Sequence, residues 1–492
     1  MGREVEEVSF TREDRQLYRE KVKACLTAVR TMLDEGRFET DRKLIGVEVE
    51  FYVVDADGEP MMVNAELLDK IESEDFQTEL AQFNIEFNLS PHKLTGRVFR
   101  ETEEELLTSF QHAMRRARDL DAYVVMVGIM PTLKDLHVTI QNLSNNPRYY
   151  LLNEQILEAR GEDINFEIEG PEKLSLQANS ITMEAAATSM QLHLQVSPEG
   201  FASTWNAAQA ISGPQVAIGC NSPFLLGKEL WRETRIALFE QAIDTRTEEL
   251  TAQGVRPRVW FGEKWITSVL DLFDENVTYF PALLPLLDDE EPSEVLGRGG
   301  IPHLPELTLH NGTIYRWNRP IYDVARGKPH LRVENRVLPA GPTVRDAVAN
   351  AAFYFGLVRA VAEMDPPITE QLSFSAAADN FRAAARDGVD AMLYWPGVGV
   401  TPATELVLRT LLPLAYEGLD SWQVDPDDRD LYLGIIEQRA LNRQTGANWQ
   451  VQAFRRVSRD RDRDEALIEM VRHYMRNMRQ NQPVHSWDLP EG

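Results

Sequence analysis

Cysteine is almost missing: Cys25 and Cys220 are the only two in 492 residues. So few thiols exclude a disulfide framework and suit a reducing compartment. Neither lies in a nucleophile motif, and no C-x-x-C or H-E-x-x-H spacing for zinc occurs. Basic charge is also scarce. Lys plus Arg number 51 against 78 Asp plus Glu, a net charge of −27. That balance argues against a nucleic-acid partner or an anionic membrane, both of which need basic patches. Long apolar runs are lacking too, and stretches such as Tyr123 to Met130 are far too short to cross a bilayer. The opening Met-Gly-Arg-Glu lacks the basic-then-apolar signature of a secretory leader. Glu7 stands where N-myristoylation needs Ser or Thr. Gly297-Arg298-Gly299-Gly300 lacks the Lys-Ser/Thr that ends a Walker phosphate loop. The expectation is a cytoplasmic protein with no internal repeat, long enough for one large elaborated domain or two.

What is present is a set of four alternating strands. In Leu44 to Tyr52, Glu48 and Glu50 share one face while Val47, Val49 and Phe51 take the other, because residues i and i+2 of a strand point the same way. Gln82 to Leu89 sets Gln82, Asn84, Glu86 and Asn88 opposite Phe83, Ile85, Phe87 and Leu89. Ser189 to Val196 sets Gln191, His193 and Gln195 opposite Met190, Leu192, Leu194 and Val196. His330 to Leu338 gathers Arg332, Glu334 and Arg336, with Leu331, Val333 and Val337 behind them. Strict alternation marks antiparallel strands with one face on a core and the other on solvent or a cleft.

An ordinary exposed face carries Lys, Thr and Ser, whereas these carry Glu, His, Gln, Asn and Arg. Adjacent carboxylates repel unless a cation lies between them. Carboxylates with a supporting histidine make an oxygen-rich site for Mg²⁺ or Mn²⁺, here drawn from Glu48, Glu50, Glu86, His193 and Glu334. Arginine beside such carboxylates suits a triphosphate whose transferring group must be positioned and neutralised. If the four strands are neighbours, the chemistry is metal-nucleotide chemistry on an open sheet.

The runs Gly46–Phe51 (G-V-E-V-E-F), Phe83–Asn88 (F-N-I-E-F-N), Gln191–Gln195 (Q-L-H-L-Q), Asn221–Phe224 (N-S-P-F) and Arg332–Pro339 (R-V-E-N-R-V-L-P) occur in that order. Together they resemble the glutamate–cysteine ligase family, type 2, a carboxylate–amine ligase branch of the glutamine synthetase-like superfamily. Asn146-Pro147-Arg148-Tyr149 resembles a further stretch of it. The resemblance covers roughly residues 40 to 360. It implies an α+β fold with an antiparallel sheet forming an open active-site face, backed by helices. It also implies ATP-dependent ligation with Mg²⁺ or Mn²⁺: a substrate carboxylate, typically that of glutamate, is phosphorylated, and an amine such as that of cysteine displaces phosphate.

By that resemblance Glu48, Glu50, Glu86, His193 and Glu334 hold the divalent cations. Arg336 contacts ATP and meets the transferring phosphoryl group. Arg316 and Arg319 clamp a phosphate or substrate carboxylate, or pair with acidic neighbours. Arg235 is a looser candidate for a substrate carboxylate. Many relatives carry a second histidine beside the equivalent of His193; here Gln191 and Gln195 flank it, able to hydrogen-bond substrate and nucleotide respectively but poorer metal ligands. Arg332 is a substrate contact or a structural salt bridge. Another phosphotransfer on the same scaffold, or a non-catalytic nucleotide-binding protein, are the alternatives to ligation.

Residues 1–40 are expected as an N-terminal helix, with Thr11 capping a helix over 11–36. Residues 41–343 are expected as the catalytic domain, and 344–492 as a helical region packed on the sheet's back or forming a subunit interface. Asp55-Ala56-Asp57-Gly58 signals a hairpin. Helices are expected at 101–120, 203–218, 226–252, 344–363, 374–387, 403–416, 428–442 and 463–479, with a strand over Ala122–Met130. The stretch 283–306, rich in Pro, Gly and acid, reads as a lid or a surface excursion, and Arg455–Arg463 as a solvated connector.

Overall fold

In the computed structural model, which describes residues 10–491, the four alternating strands are neighbours in one antiparallel sheet. The expectations about the first residues, Glu7 included, lie outside the described region. The sheet has eight strands: β1 (Leu44–Val54), β2 (Phe76–Thr78), β3 (Asn84–Asn88), β4 (His92–Lys93), β5 (Tyr123–Val125), β6 (Ser189–Val196), β7 (Asn318–Ala325) and β8 (Lys328–Pro339). Their order is β7-β8-β6-β1-β3-β2, with β4 and β5 pairing the two ends of the long β1. Asp55 to Gly58 turns the chain directly after β1: the Gly58 amide donates to the Asp55 carbonyl at 3.2 Å and the Met61 amide to that of Val53 at 2.9 Å. Gly58 has φ +78°, which a side chain would strain.

Register decides the site. Glu48 lies opposite Asn88 on one side and Gln191 on the other, Glu50 opposite Glu86, and His193 opposite Glu334. Arg319 in β7 lies opposite Glu334. Between the pairs Asn335–Leu192 and Leu338–Met190, β8 uses Arg336 and Val337 where β6 uses only Gln191, which is a β-bulge.

The apolar face of the sheet, including Val47, Val49, Phe51, Leu192, Leu194 and Val333, is buried. Two long helices lie on that side. Pro198–Gly219 begins with Ser197 accepting from the Gly200 amide and Pro198 in the first turn, and its residues from Thr204 onward are buried. Val344–Ala362, capped by Thr343, is buried over most of its length. A polar layer fastens sheet to helix: Gln215 Nε2 donates to Asn335 Oδ1 at 2.8 Å, Asn335 Nδ2 to Asn318 Oδ1 at 2.8 Å, and Asn318 Nδ2 to Gln209 Oε1 at 2.7 Å. Pairing every donor in this way is what makes buried amides tolerable.

The C-terminal helices lie against this back layer. Arg439, 1 % exposed, donates to Asp346 Oδ1 at 2.8 Å and to the Ile218 carbonyl at 3.0 Å. Asn221 donates to the Ala340 carbonyl (2.8 Å) and the Tyr474 hydroxyl (2.9 Å) and accepts from Gln450 at 2.9 Å. At the other end, Thr11 and Asp14 form a capping box over the helix Arg12–Asp34.

Four expectations need correcting. Residues 226–252 are not one helix: Leu226 and Gly227 both have positive φ and turn a two-residue hairpin, and helices resume only at Thr234–Ala242 and, behind a Thr247 cap, Glu248–Ala252. Strand β5 stops at Val125, well short of Met130. The connector Arg455–Arg463 begins inside a helix, Gly446–Val457, and only residues 458–462 are irregular. The stretch 283–306 contains a short helix, Pro292–Gly297, and is stapled down: Glu290 accepts from the His303 and Leu304 amides at 2.9 and 2.8 Å, and Lys21 pairs with Glu291 at 2.7 Å. Among the described residues no helix is long and apolar enough to cross a membrane.

Candidate active site

The polar face of β8, β6, β1 and β3 is the floor of a continuous cleft. Two adjoining chambers of about 420 and 570 Å³ share Glu48, Arg148, Gly312 and Arg319 in their walls. A third, of about 270 Å³, extends past His193 to Gln195 and Arg332. Sites of this size take small metabolites and cofactors.

The carboxylates predicted as one set divide into two. Glu48, His193 and Glu334 bring ligand atoms within 4.8 Å of one another, and Glu50, Glu86 and Glu79 do the same. In the first group, His193 Nε2 stands 2.9 Å from Glu48 Oε1 and 3.8 Å from Glu334 Oε1. Yet neither ring nitrogen of this 6 % exposed histidine makes an aligned hydrogen bond. A buried imidazole whose Nε2 faces two carboxylates without an aligned hydrogen bond fits a divalent cation. Burial raises the Glu334 carboxyl, but Arg319, Arg336 and His193 outweigh it and hold it well below the usual carboxylate range. Burial likewise opposes the charge of Glu48, and His193 overcomes it and lowers the pKa.

The second group is poised oppositely. Burial and then repulsion from Glu48 and Glu50 push Glu86 up to about 7. Glu79 is raised well above its ordinary value by burial and then by Glu86 and Glu50. Glu50 is raised by burial, with Arg336 and the Ser189 amide opposing; it accepts from Ser189 Oγ at 2.9 Å and Gln191 Nε2 at 3.2 Å. Three crowded, mutually repelling carboxylates also fit a cation, whose charge would relieve the repulsion.

Arginines bracket these groups. Arg319 grips Glu334 through Nε and Nη2, the latter at 2.9 Å. Arg336 donates to Gln191 Oε1 and, at 3.1 Å, to Glu334 Oε1. Burial disfavours the Arg336 charge, but Glu334, Glu50 and Glu48 more than compensate, so this guanidinium faces both clusters.

The other predicted residues are placed as follows. Gln191 lines the first chamber and Gln195 the third. Arg332, opposite Gln195, lines the cleft while pairing with Asp323 at 2.9 Å and His330 at 2.8 Å. Arg235 reaches the cleft wall, but its donors go to Glu233 (3.0 Å) and to the carbonyls of Arg336 and Val337, the two bulge residues. It braces the bulge instead of offering a free fork to a carboxylate. Arg316 is a correction. It lies outside the chambers, 2 % exposed, bound to Asn276 Oδ1 (2.8 Å) and Glu275 (2.7 Å) and stacked 5.0 Å from the Trp260 ring centroid. Alternate residues of an extended segment point opposite ways, so Tyr315 and Trp317 meet the cleft while Arg316 turns from it.

Sequence reasoning gave no role to three cleft residues. Glu79 precedes the alternating run of β3 and carries no pattern of its own. Glu184, pushed up to about 8 by burial, lies in the turn Ile181–Ala186; a lone acid in Ile-Thr-Met-Glu-Ala-Ala-Ala was the available signal. Asn84 has both amide atoms buried without a partner at the cleft wall. Arg148 and Tyr149, from the Asn146–Tyr149 motif, enter the cleft because Asn146 caps the helix Pro147–Arg160 there.

An antiparallel sheet thus carries two acidic clusters and facing arginines on the floor of one cleft. The family comparison is specific: a model of glutamate–cysteine ligase family 2 matches residues 44–450, and the chain belongs to that family of carboxylate–amine ligases. No curated protein sequence matches. Among solved structures, a bifunctional glutathione synthetase from Pasteurella multocida is similar with a TM-score of 0.51 and 12 % identity, over 94 % of this chain and 55 % of that one. A glutamate–cysteine ligase from Francisella tularensis, in complex with AMP, is similar over 92 % of this chain and 91 % of that one, with a TM-score of 0.48 and 11 % identity. At 12 % identity, the likeness to the Pasteurella synthetase is one of fold alone.

Proposed function

We propose that the protein is an ATP-dependent carboxylate–amine ligase that forms a γ-glutamyl amide, with glutamate as the carboxylate and cysteine or a similar small amine as acceptor. The observation that carries this reading is the pair of acidic clusters facing one guanidinium, Arg336, in a chain of this family. Glu48, His193 and Glu334 would hold one divalent cation, and Glu50, Glu79 and Glu86 another. Such cations supply charge neutralisation for the phosphates of ATP. The side chains do the positioning. Arg336 and Arg319 face the transferring phosphoryl group, where negative charge spreads in the transition state. The substrate carboxylate takes the γ-phosphoryl group and ADP leaves; the amine nitrogen then attacks the acyl carbon and phosphate departs. Arg235 keeps the bulge, and with it Arg336, in place. Arg148, Gln191 and Asn84 offer polar contacts for the amino acid, and Gln195 and Arg332 for the nucleotide end or substrate.

The test is ADP release from Mg-ATP with glutamate alone and with a panel of amines that includes cysteine. Release that requires glutamate and one amine, with one phosphate per ADP, is expected. Release with no amine requirement would replace ligation with simple phosphotransfer.

A further inference from the structure

Arginine gathers a second time, away from the sheet. A cavity of about 370 Å³ lies between the start of the helix Arg12–Asp34, the end of the helix Pro147–Arg160 and the segments 245–258 and 279–283. It shares no lining residue with the three chambers of the cleft. Arg15, Arg246, Arg256 and Arg258 line it, against the single carboxylate of Glu158.

Their counter-charges are uneven. Arg246 pairs with Asp244 at 2.7 Å, and Arg256 with Glu263 at 2.6 Å and Glu275 at 3.3 Å. Arg15 donates to Gln155 Oε1 at 2.8 Å and the Ala282 carbonyl at 3.3 Å, but its only counter-charge among the described residues is Glu158 at 3.9 Å, on a side chain 68 % exposed. Arg258 pairs with no carboxylate among the described residues. It is 3 % exposed, donates to the carbonyls of Thr313 (3.1 Å) and Pro281 (2.6 Å), and its buried Nε has no partner among the described residues. Burial lowers the pKa of this guanidinium to about 10. An isolated buried cation is costly unless something neutralises it. In a chain with 27 more acids than bases, an arginine left without one stands out. The Tyr279 ring, 3.6 Å below the Arg256 guanidinium and 55 % exposed, gives the mouth an aromatic wall.

We propose that this cavity is a binding site for a small polyanion, a phosphate ester or a polycarboxylate, whose charge completes Arg258 and Arg15. Guanidinium forks bind both groups in two-point fashion. The site touches the catalytic cleft through one strand pair: the Arg258 carbonyl accepts from the Tyr315 amide at 2.8 Å, and Tyr315 lines the cleft. An occupant is therefore positioned to influence the cleft.

Titration calorimetry on the full metal-free chain, with inorganic phosphate and separately with citrate at constant ionic strength, tests this without turnover, so its result is independent of the ligase reading. At least one anion is expected to bind, with affinity falling tenfold or more in Arg15→Gln and in Arg246→Gln and unchanged in Arg336→Gln. Phosphate binding would indicate an ester, citrate binding a polycarboxylate. Arg258→Met should abolish binding; the two more accessible variants carry the test if it does not fold. No binding by either anion, affinity unchanged in Arg15→Gln and Arg246→Gln, or affinity lost only in Arg336→Gln would overturn the proposal.

Discussion

Arg319 meets Glu334 across the β7–β8 pair, register partner to register partner, with Nε and Nη2 directed at the two carboxylate oxygens. This fork favours the ionised carboxylate in spite of its burial, the state the proposed cation ligand would need. Glu334→Gln keeps the shape but removes the charge that balances Arg319 and Arg336. ATP turnover should fall at least a hundredfold while circular dichroism stays native. Undiminished turnover would remove Glu334 from the cation site.

Arg336 is expected to act on the transition state. Arg336→Ala should lower kcat by about 3 kcal/mol of barrier, roughly a hundredfold, with KM for ATP changed only a few-fold. A loss confined to KM would show uniform binding instead.

Glu79 completes the second cluster. Glu79→Gln should raise the Mg²⁺ concentration for half-maximal rate about tenfold or more. The metal-free protein should become no less stable, because a repelled carboxylate is gone. An unchanged Mg²⁺ requirement would exclude Glu79 as a ligand.

Arg316 is predicted to govern folding, not chemistry. Removing one partner of a buried ion pair costs about 3–5 kcal/mol, so Arg316→Gln should lose that much in denaturant unfolding. Turnover per folded molecule should stay within about threefold of wild type; a deep fall in kcat at unchanged stability would return Arg316 to the catalytic set.

His310, 4 % exposed, gives a pH signature outside the clusters. Burial pulls its pKa from 6.5 down to about 4, the hydrogen bond to the Asn276 carbonyl opposing. A depressed histidine contributes stability that is present above the unfolded pKa and is lost as pH falls from about 6.5 towards 4. The loss amounts to about 3 kcal/mol. Unfolding measured at pH 7.5 and pH 4.5 should show that much less acid destabilisation in His310→Gln than in wild type. Equal slopes would mean the folded imidazole takes up its proton as easily as the unfolded one.

The strand faces were legible because alternation has one meaning in a half-buried sheet: Glu48, Glu50, Glu86, His193 and Glu334 lie on the predicted side. Pairing partners were not legible, so the division into two clusters emerged only from the register of Glu50 with Glu86 and of His193 with Glu334. Glu79 lies in an irregular segment and Glu184 in a short 3-10 turn, neither long enough for a period to mark a face. Arg316 was misplaced since a basic residue near a motif says nothing of which way an extended chain points. The hairpin at Leu226–Gly227 escaped because its first residue is a leucine, the last type expected at positive φ.

The bulge in β8 has a consequence for parity. Before it, even-numbered residues Arg332, Glu334 and Arg336 belong to the cleft; after it, Leu338 pairs with Met190, and both are buried in the core. One extra residue thus switches the strand from charged-even to apolar-even. Deleting Val337 would restore an unbroken ladder, with Arg336 opposite Gln191 and Leu338 still opposite Met190 in the core, and would remove one of the two carbonyls that Arg235 holds. The carbonyls that Arg235 clasps are those of the two residues at this switch. Length, as much as identity, is constrained along this stretch of chain.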